Sequence, residues 1–491
     1  MNLINIKSFL FKKQGIRGTI AKNFFWLSAS QVGSRLIKAA ITIYAARALG
    51  AFEYGVFSYA IGLAGFFIFF KNVGVDAIVT REIAQKHRDE KKVFSTAFWI
   101  EIVLLIVTVF LILTVAPLFS KINAAIVLLP IITVMIVSDD LRDLFVAFFR
   151  GKDEMQFEAA VVFVTNVATT IFGFAALFYA VTPLALAAAY AAASVAGTVI
   201  AGAILLARHS FHLIRDFDVS LVKPIVRSAV PIAVGGLAGM FLFNVDVILL
   251  GWWRSPEDIG IYAAAQKIVG ILPAAALIIT TSIFPTLARL VLERDEARVR
   301  MLMERTMRLL FLMLAPLVIG GVILRTPIME FVFGAAYGAG STAFALALFS
   351  LLGIFPLAIL TNFVFAHDAQ KKVMLYPLLI SALNILLNVL LIPPFGIAGA
   401  AFATSLVFIV YIVLMFRFSK RLSNFSVFSG TAKMLAATAL MGAFTYLLSL
   451  AGVHVLVAIG VSGLFYAAAL YCLRDETFLE LLTFRPIHNS H

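Results

Sequence analysis

The chain has 491 residues, of which 62% are hydrophobic and 13% charged, with a formal net charge of +13. A soluble domain carries about 45–50% apolar and about 25% charged residues, so no water-soluble core can bury this much apolar surface. The strand alternation of an outer-membrane barrel is absent, and hydrocarbon requires every backbone polar group to be paired internally, so the chain is an all-α integral membrane protein.

The first 21 residues are basic and amphipathic. Lys7, Lys12, Lys13 and Arg17, with Lys22 just beyond, interleave with Ile4, Ile6, Phe9, Leu10 and Phe11, the pattern of a helix lying on an anionic leaflet; no cleavable signal peptide is expected. Fourteen spans follow, at roughly 22–48, 55–78, 93–116, 122–149, 155–180, 184–207, 224–250, 259–284, 303–324, 341–365, 373–392, 396–417, 431–451 and 454–473. Lys and Arg divide unevenly between alternate loops: 30 lie on the side of both termini, four (Arg47, Lys121, Arg254 and Arg325) on the other, and five inside spans. The positive-inside rule therefore places both termini in the cytoplasm, and the expected location is the inner (plasma) membrane. Because the charge is split among short loops, nucleic acid is not expected as a partner.

The chain also repeats itself. Glu53-Tyr-Gly-Val-Phe-Ser-Tyr-Ala opens span 2 as Asp258-Ile-Gly-Ile-Tyr-Ala-Ala-Ala opens span 8. Arg150-Gly-Lys-Asp-Glu-Met parallels His367-Asp-Ala-Gln-Lys-Lys, and Pro183-Leu-Ala-Leu-Ala parallels Phe395-Gly-Ile-Ala-Gly. Three matches in order at a nearly constant offset indicate duplication. Six spans per copy make the repeats parallel, and transporters hold substrate between such halves. The expected organisation is an amphipathic segment 1–21, a first lobe 22–207, a cytoplasmic linker 208–223, a second lobe 224–418, helices 13 and 14 within 430–473, and a cytoplasmic tail 474–491.

Charges within spans cost about 2.5–3.5 kcal/mol each on insertion scales, so they tend to face a wet cavity or a partner. Five are basic: Arg35 and Lys38 in span 1, Lys71 in span 2, Arg142 in span 4 and Lys267 in span 8. Gln31, Ser34, Arg35, Lys38 and Thr42 share one helical face. Arg and Lys there supply charge-assisted donors to a phosphate or pyrophosphate; the alternative is ion pairing with nearby carboxylates. In span 4, Asp139, Arg142 and Asp143 share a face, while Asp140 is turned away by about 100°. These acids, with Asp246 beside Asn244 in span 7, are candidates for ion coupling or gating by a proton or sodium gradient; a salt-bridge cluster is the other reading of span 4. Asp76, Glu101 and Glu158 near span ends read as solvated. Asn384 and Asn388 suggest hydrogen bonding between helices, Gly235 and Gly239 close packing, and prolines 130, 231, 273, 316 and 356 helix kinks. His209 and His212 lack a third ligand, so no metal site or other cofactor is expected. Cys472 is the sole cysteine, which excludes an internal disulfide. Asp139-Asp140 is the kind of acidic pair membrane glycosyltransferases use, but it lies inside a span; there is no HExxH, GxSxG or Gly-rich phosphate loop, and no enzyme is expected.

Four segments carry a resemblance. They are Asn23-Phe-Phe-Trp-Leu with Ala46-Arg-Ala-Leu-Gly-Ala-Phe-Glu-Tyr-Gly, Gly74-Val-Asp-Ala-Ile-Val-Thr-Arg-Glu-Ile-Ala, Asp246-Val-Ile-Leu-Leu-Gly with Ile259-Gly-Ile-Tyr-Ala-Ala-Ala, and Ile283-Phe-Pro-Thr-Leu-Ala-Arg. Together they resemble the multidrug/oligosaccharidyl-lipid/polysaccharide flippase superfamily, and within it the polysaccharide branch that handles undecaprenyl-pyrophosphate-linked oligosaccharides. The resemblance implies fourteen helices, two six-helix lobes, a cationic central cavity and alternating access. It also implies a lipid-linked oligosaccharide as partner, together with a polysaccharide polymerase and glycosyltransferases. The lipid II branch, whose cavity uses basic residues on helices 1, 2 and 8, and the usually twelve-helix drug exporters are the alternatives.

Overall fold

The computed structural model describes residues 16–70, 74–426 and 430–483; the side chains of residues 16–36, of 69 and of several positions between 231 and 243 lie outside the description. Every regular element among the described residues is helical. Among the described residues, ten segments are long and apolar enough to cross a bilayer, and some of these hold two helices joined at a break.

The first helix, α1 (Ile16–Phe67), is divided by Gly50, whose φ of 74° only glycine adopts without strain. Its arms, 16–49 and 51–67, correspond to the first two expected spans. The second arm stops earlier than the sequence suggests. Gly74, also left-handed, starts a separate helix α2 (Val75–Gln85) in place of a continuous span to residue 78. Then come α3 (Glu90–Phe110), α4 (Leu129–Gly151), α5 (Met155–Tyr179), α6 (Pro183–Arg208) and α7 (Val219–Trp253). Of the expected proline kinks, Pro130 instead starts α4, where its missing N–H has no helical partner to lose.

Two compact units emerge, residues 1–260 and 261–491. In the first, α5 packs on α1 and α6, α4 packs on α6 and α2, and the arm 51–67 packs on α7. Tyr54, Tyr59, Ala60 and Leu63 of that arm are all but inaccessible. Glycines set its spacing. Gly62 faces Val247, Gly65 faces the Asn244 side chain, and Gly251 faces the Tyr59 ring. The repeat motifs themselves meet: a Cβ at Gly55 would strike the Pro256 carbonyl, and one at Gly260 the Ala51 carbonyl. These contacts are reciprocal under the repeat offset, so two equivalent glycines let two backbones touch.

The linker 208–223 is fastened to α3. The Leu213 carbonyl accepts from Ser95 Oγ (2.5 Å) and Trp99 Nε1 (2.8 Å), and Thr96 Oγ1 both accepts from the Asp218 amide and donates to its carbonyl. Phe211 packs against Phe94 and Phe148. Asp218 caps α7 by accepting from Ser220 N (3.0 Å) and Oγ (2.6 Å). Those bonds, with Lys92 beside them, hold its carboxyl below the usual range.

The second unit continues with α8 (Pro256–Ile271), which begins in the first unit, α9 (Pro273–Leu292), α10 (Glu296–Ile323) and α11 (Arg325–Phe333). Pro273 separates α8 from α9, so the expected span 8 is two helices end to end. There follow α12 (Ser341–Leu348), α13 (Leu351–Ala366), α14 (Tyr376–Ser419) with a reversal at Gly396, α15 (Ala432–Leu450), α16 (Val455–Cys472) and the short α17 (Glu476–Thr483). The hairpin α15–α16 is pinned internally by Thr445 Oγ1 donating to Ser462 Oγ (2.8 Å), and packs on α10 through Leu312, Met434, Ala437, Tyr466 and Leu470. One hydrogen bond there follows from sequence arithmetic. Pro316 inside α10 has no N–H for the carbonyl four residues back, that of Leu312. Tyr466 OH donates to that same carbonyl at 3.1 Å, so α16 satisfies the group the proline abandons.

Candidate functional site

The basic face expected on span 1 lies on the first arm of α1. One stripe of that arm is committed to α5: Ile41 is fully buried and faces Gly173, Thr170 Oγ1 donates to the Ile37 carbonyl (3.3 Å), and Tyr44 packs on Phe174. Lys38 points elsewhere and is exposed, one turn before Thr42, whose hydroxyl bonds back to the Lys38 carbonyl (2.8 Å). Arg35 occupies the preceding turn of the same helix; its side chain, and all of Lys71, lie outside the described residues. Lys267, exposed on α8, belongs to the second unit.

Helix α4 carries a compact charge cluster. Arg142 bridges Asp139 (2.6 Å) and Asp143 (3.0 Å), and its own side chain is only 15% exposed. The i, i+3 and i, i+1 spacing makes this triad local, so Arg142 is neutralised by its own helix. Asp140, on another face, is completely buried. The Ser138 carbonyl nearby in sequence accepts from Thr198 Oγ1 of α6 (2.5 Å). Asp246 of α7 is also buried and accepts from the Val247 amide (2.8 Å).

The solvated reading fails for Glu101 and Glu158. Glu101 is fully buried, and Glu158 is 5% exposed beneath a two-point contact with Arg150, at 3.1 and 2.5 Å. A planar guanidinium covers a carboxylate more completely than water-facing position alone suggests. Lys152 pairs similarly with Glu90 (2.6 Å). The asparagines also depart from expectation. Asn388 Nδ2 donates to Asn384 Oδ1 (3.1 Å) and to its carbonyl (2.9 Å), so the pair bonds within one helix arm rather than across helices. His209 lies 3.4 Å from Glu154 and edge-on to Phe148.

This arrangement offers an exposed Lys38 on α1 and a charge-compensated, partly buried acidic helix α4 in the same unit. The first suits an anionic ligand; the second suits structure or ion coupling.

Comparison with known proteins agrees with this architecture. A family model described as polysaccharide biosynthesis protein matches residues 20–291, and one described as lipid II flippase MurJ matches 259–465. Two curated relatives come from Haloferax volcanii. The probable low-salt glycan biosynthesis flippase Agl15 is 24% identical over 37% of this chain, and the probable flippase AglR is 27% identical over 33%. The matched stretches span 38% and 34% of those relatives' own lengths. Among solved structures, a lipid II flippase MurJ in an inward closed conformation superposes with a TM-score of 0.76 at 16% identity, covering 93% of this chain and 99% of that one. The MATE multidrug transporter DinF-BH gives 0.61 at 15% identity, covering 84% and 98%. The first family model takes in more than half of the chain, both arms of α1 and the repeat motif of α8, and the fold is that of these transporters. This multi-pass membrane protein belongs to the polysaccharide biosynthesis protein family, within the multidrug/oligosaccharidyl-lipid/polysaccharide flippase superfamily.

Proposed function

We propose that this protein flips undecaprenyl-pyrophosphate-linked oligosaccharide units from the cytoplasmic to the outer leaflet of the inner membrane by alternating access, with both termini cytoplasmic. The observation that carries the reading is the polysaccharide-family match over residues 20–291, which includes the basic face of α1. The diphosphate is the feature that lipid carriers of different sugars share, and Arg35 and Lys38, one turn apart, can hold it without reading the glycan. Lys71 and Lys267 are assigned to the same ligand. Arg142 is assigned to it as well, on release from Asp139 and Asp143. Asp139, Asp140, Asp143 and Asp246 are assigned to coupling with a proton or sodium gradient, and no organic cofactor or enzymatic step is invoked. A polysaccharide polymerase and glycosyltransferases are the expected functional partners.

The second reading, a lipid II flippase, is favoured by the family match over 259–465 and by the MurJ superposition. Both readings share the diphosphate and differ in the head group. The test is transport in proteoliposomes, with a lipid-linked oligosaccharide and lipid II offered separately. The Arg35→Ala, Lys38→Ala double variant should lose transport of the preferred substrate while retaining its melting temperature. Normal transport by that well-folded variant overturns the site, and preference for lipid II overturns the substrate.

A further inference from the structure

Helix α10 turns one stripe toward the carboxy-terminal hairpin. Leu309 and Leu312 carry that stripe into the apolar cluster around Met434 and Ala437. Nearer the amino end of the helix the same stripe becomes cationic, because Arg305 and Arg308 precede Leu309 and Leu312 at helical spacing. Arg305 is matched by Glu480 of α17, at 2.6 Å. Arg308 is half-buried and forms no ion pair among the described residues, and its Nε is shut off from solvent with no hydrogen-bond partner among them. The carboxylates Glu304 of α10 and Asp475 before α17 are engaged elsewhere. Glu304 accepts from Arg300 (3.0 Å) and from the Ser426 amide (2.9 Å), and Asp475 caps α17 through the Phe478 amide (3.0 Å).

An arginine at a membrane border ordinarily extends toward water. Arg308 instead lies against the turn that opens α15: its Cδ and Nη1 are 3.2 Å from where a Cβ on Gly430 would stand. Gly430 has a φ of +73°, so backbone and guanidinium both call for glycine there. Lys433, exposed in the first turn of α15, adds a second cation and donates to the Arg474 carbonyl (3.0 Å). The same two helices expose apolar side chains: Leu435 of α15 is 55% exposed, and Leu481 and Leu482 of α17 are 48% and 55% exposed. A planar guanidinium fork beside an ammonium fits phosphate oxygens, and the exposed leucines suit the chain that such a phosphate carries.

We propose that Arg308 and Lys433 bind the phosphate of an anionic phospholipid in the cytoplasmic leaflet, which clamps the α15–α16 hairpin and α17 onto α10. The test uses the full-length protein in detergent, with short-chain phosphatidylglycerol, short-chain phosphatidylcholine or inorganic phosphate added. Phosphatidylglycerol should raise the melting temperature and remain bound in native mass spectra, while the other two do neither. Arg308→Gln should weaken retention about tenfold or more, the worth of a lost charge-assisted bond, and Arg308→Lys should restore part of it. If Arg308→Gln does not fold, Lys433→Gln at its exposed position should show the same loss to a smaller degree. Equal protection of wild type and the glutamine variants, or protection by phosphatidylcholine, overturns the site. Equal protection by inorganic phosphate overturns the lipid as its ligand.

Discussion

Replacing Tyr466 with phenylalanine removes one oxygen, and with it the donor that the Leu312 carbonyl receives in place of the N–H denied by Pro316. The hydroxyl sits in a buried, largely apolar cluster, and the neighbouring Thr438 hydroxyl already donates to the Met434 carbonyl (2.7 Å). Leaving a buried acceptor unsatisfied costs about 1–3 kcal/mol. The origin of that cost is specific, and so is its cure. Pro316→Ala restores the amide that reaches Leu312 in a regular helix, so Tyr466→Phe in that background should cost about 1 kcal/mol or less. The two substitutions should therefore be strongly non-additive, in the direction of rescue. Thermal unfolding of the four proteins of the cycle in one detergent measures this. If Tyr466→Phe costs the same in both backgrounds, the hydroxyl does not replace the missing amide, and the account of how the hairpin is fastened to α10 is wrong.

Gly55→Ala places a Cβ where the nearest backbone atoms beyond the struck carbonyl, Pro256 C and Gly260 N, stand at 2.7 and 2.8 Å, so the helices must part by roughly 1 Å or more. Main chain cannot rotate aside, and overpacking of this kind costs about 3 kcal/mol. Adding Gly260→Ala should cost less than it does alone, since the gap is already open, and full additivity in unfolding experiments would refute a shared contact. Asp218→Ala should lower the melting temperature at neutral pH. Because the folded carboxyl is held below its ordinary value, its stabilisation is present above the unfolded value and disappears as pH falls through the folded one. The gap between the two melting curves should therefore close on acidification and persist unchanged toward alkaline pH.

Length and hydropathy made the long helices legible. Spans 13 and 14 were expected at 431–451 and 454–473, and the helices run Ala432–Leu450 and Val455–Cys472. The short helices α2, α11 and α17 carry no twenty-residue apolar signal and went unread. So did the break at Gly74, because one left-handed glycine looks like any other until its φ is known. The repeat drew attention to Gly55 and Gly260 as equivalent positions, yet only the three-dimensional arrangement shows that they meet. At the candidate site, the pairing of Arg142 with Asp139 was readable because it is local. The burial of Glu101 was not, since it depends on neighbours distant in sequence.

The triad on α4 bears on how the chain enters the bilayer at all. The charged residues from Asp139 onward make this helix a poor candidate for insertion on its own, whereas its neighbours α5 and α6 have mean hydropathies of 2.0 and 1.9 over their best stretches. The Asp139 and Asp143 contacts to Arg142 close within about one helical turn. They can therefore form inside the translocation channel as soon as that turn coils, before any other helix is made. Asp140 faces away from that triad, and its complete burial is the work of helices made elsewhere in the chain. Its shielding must await their arrival, so α4 should leave the channel last among its group, held at the lateral gate until α5 and α6 emerge.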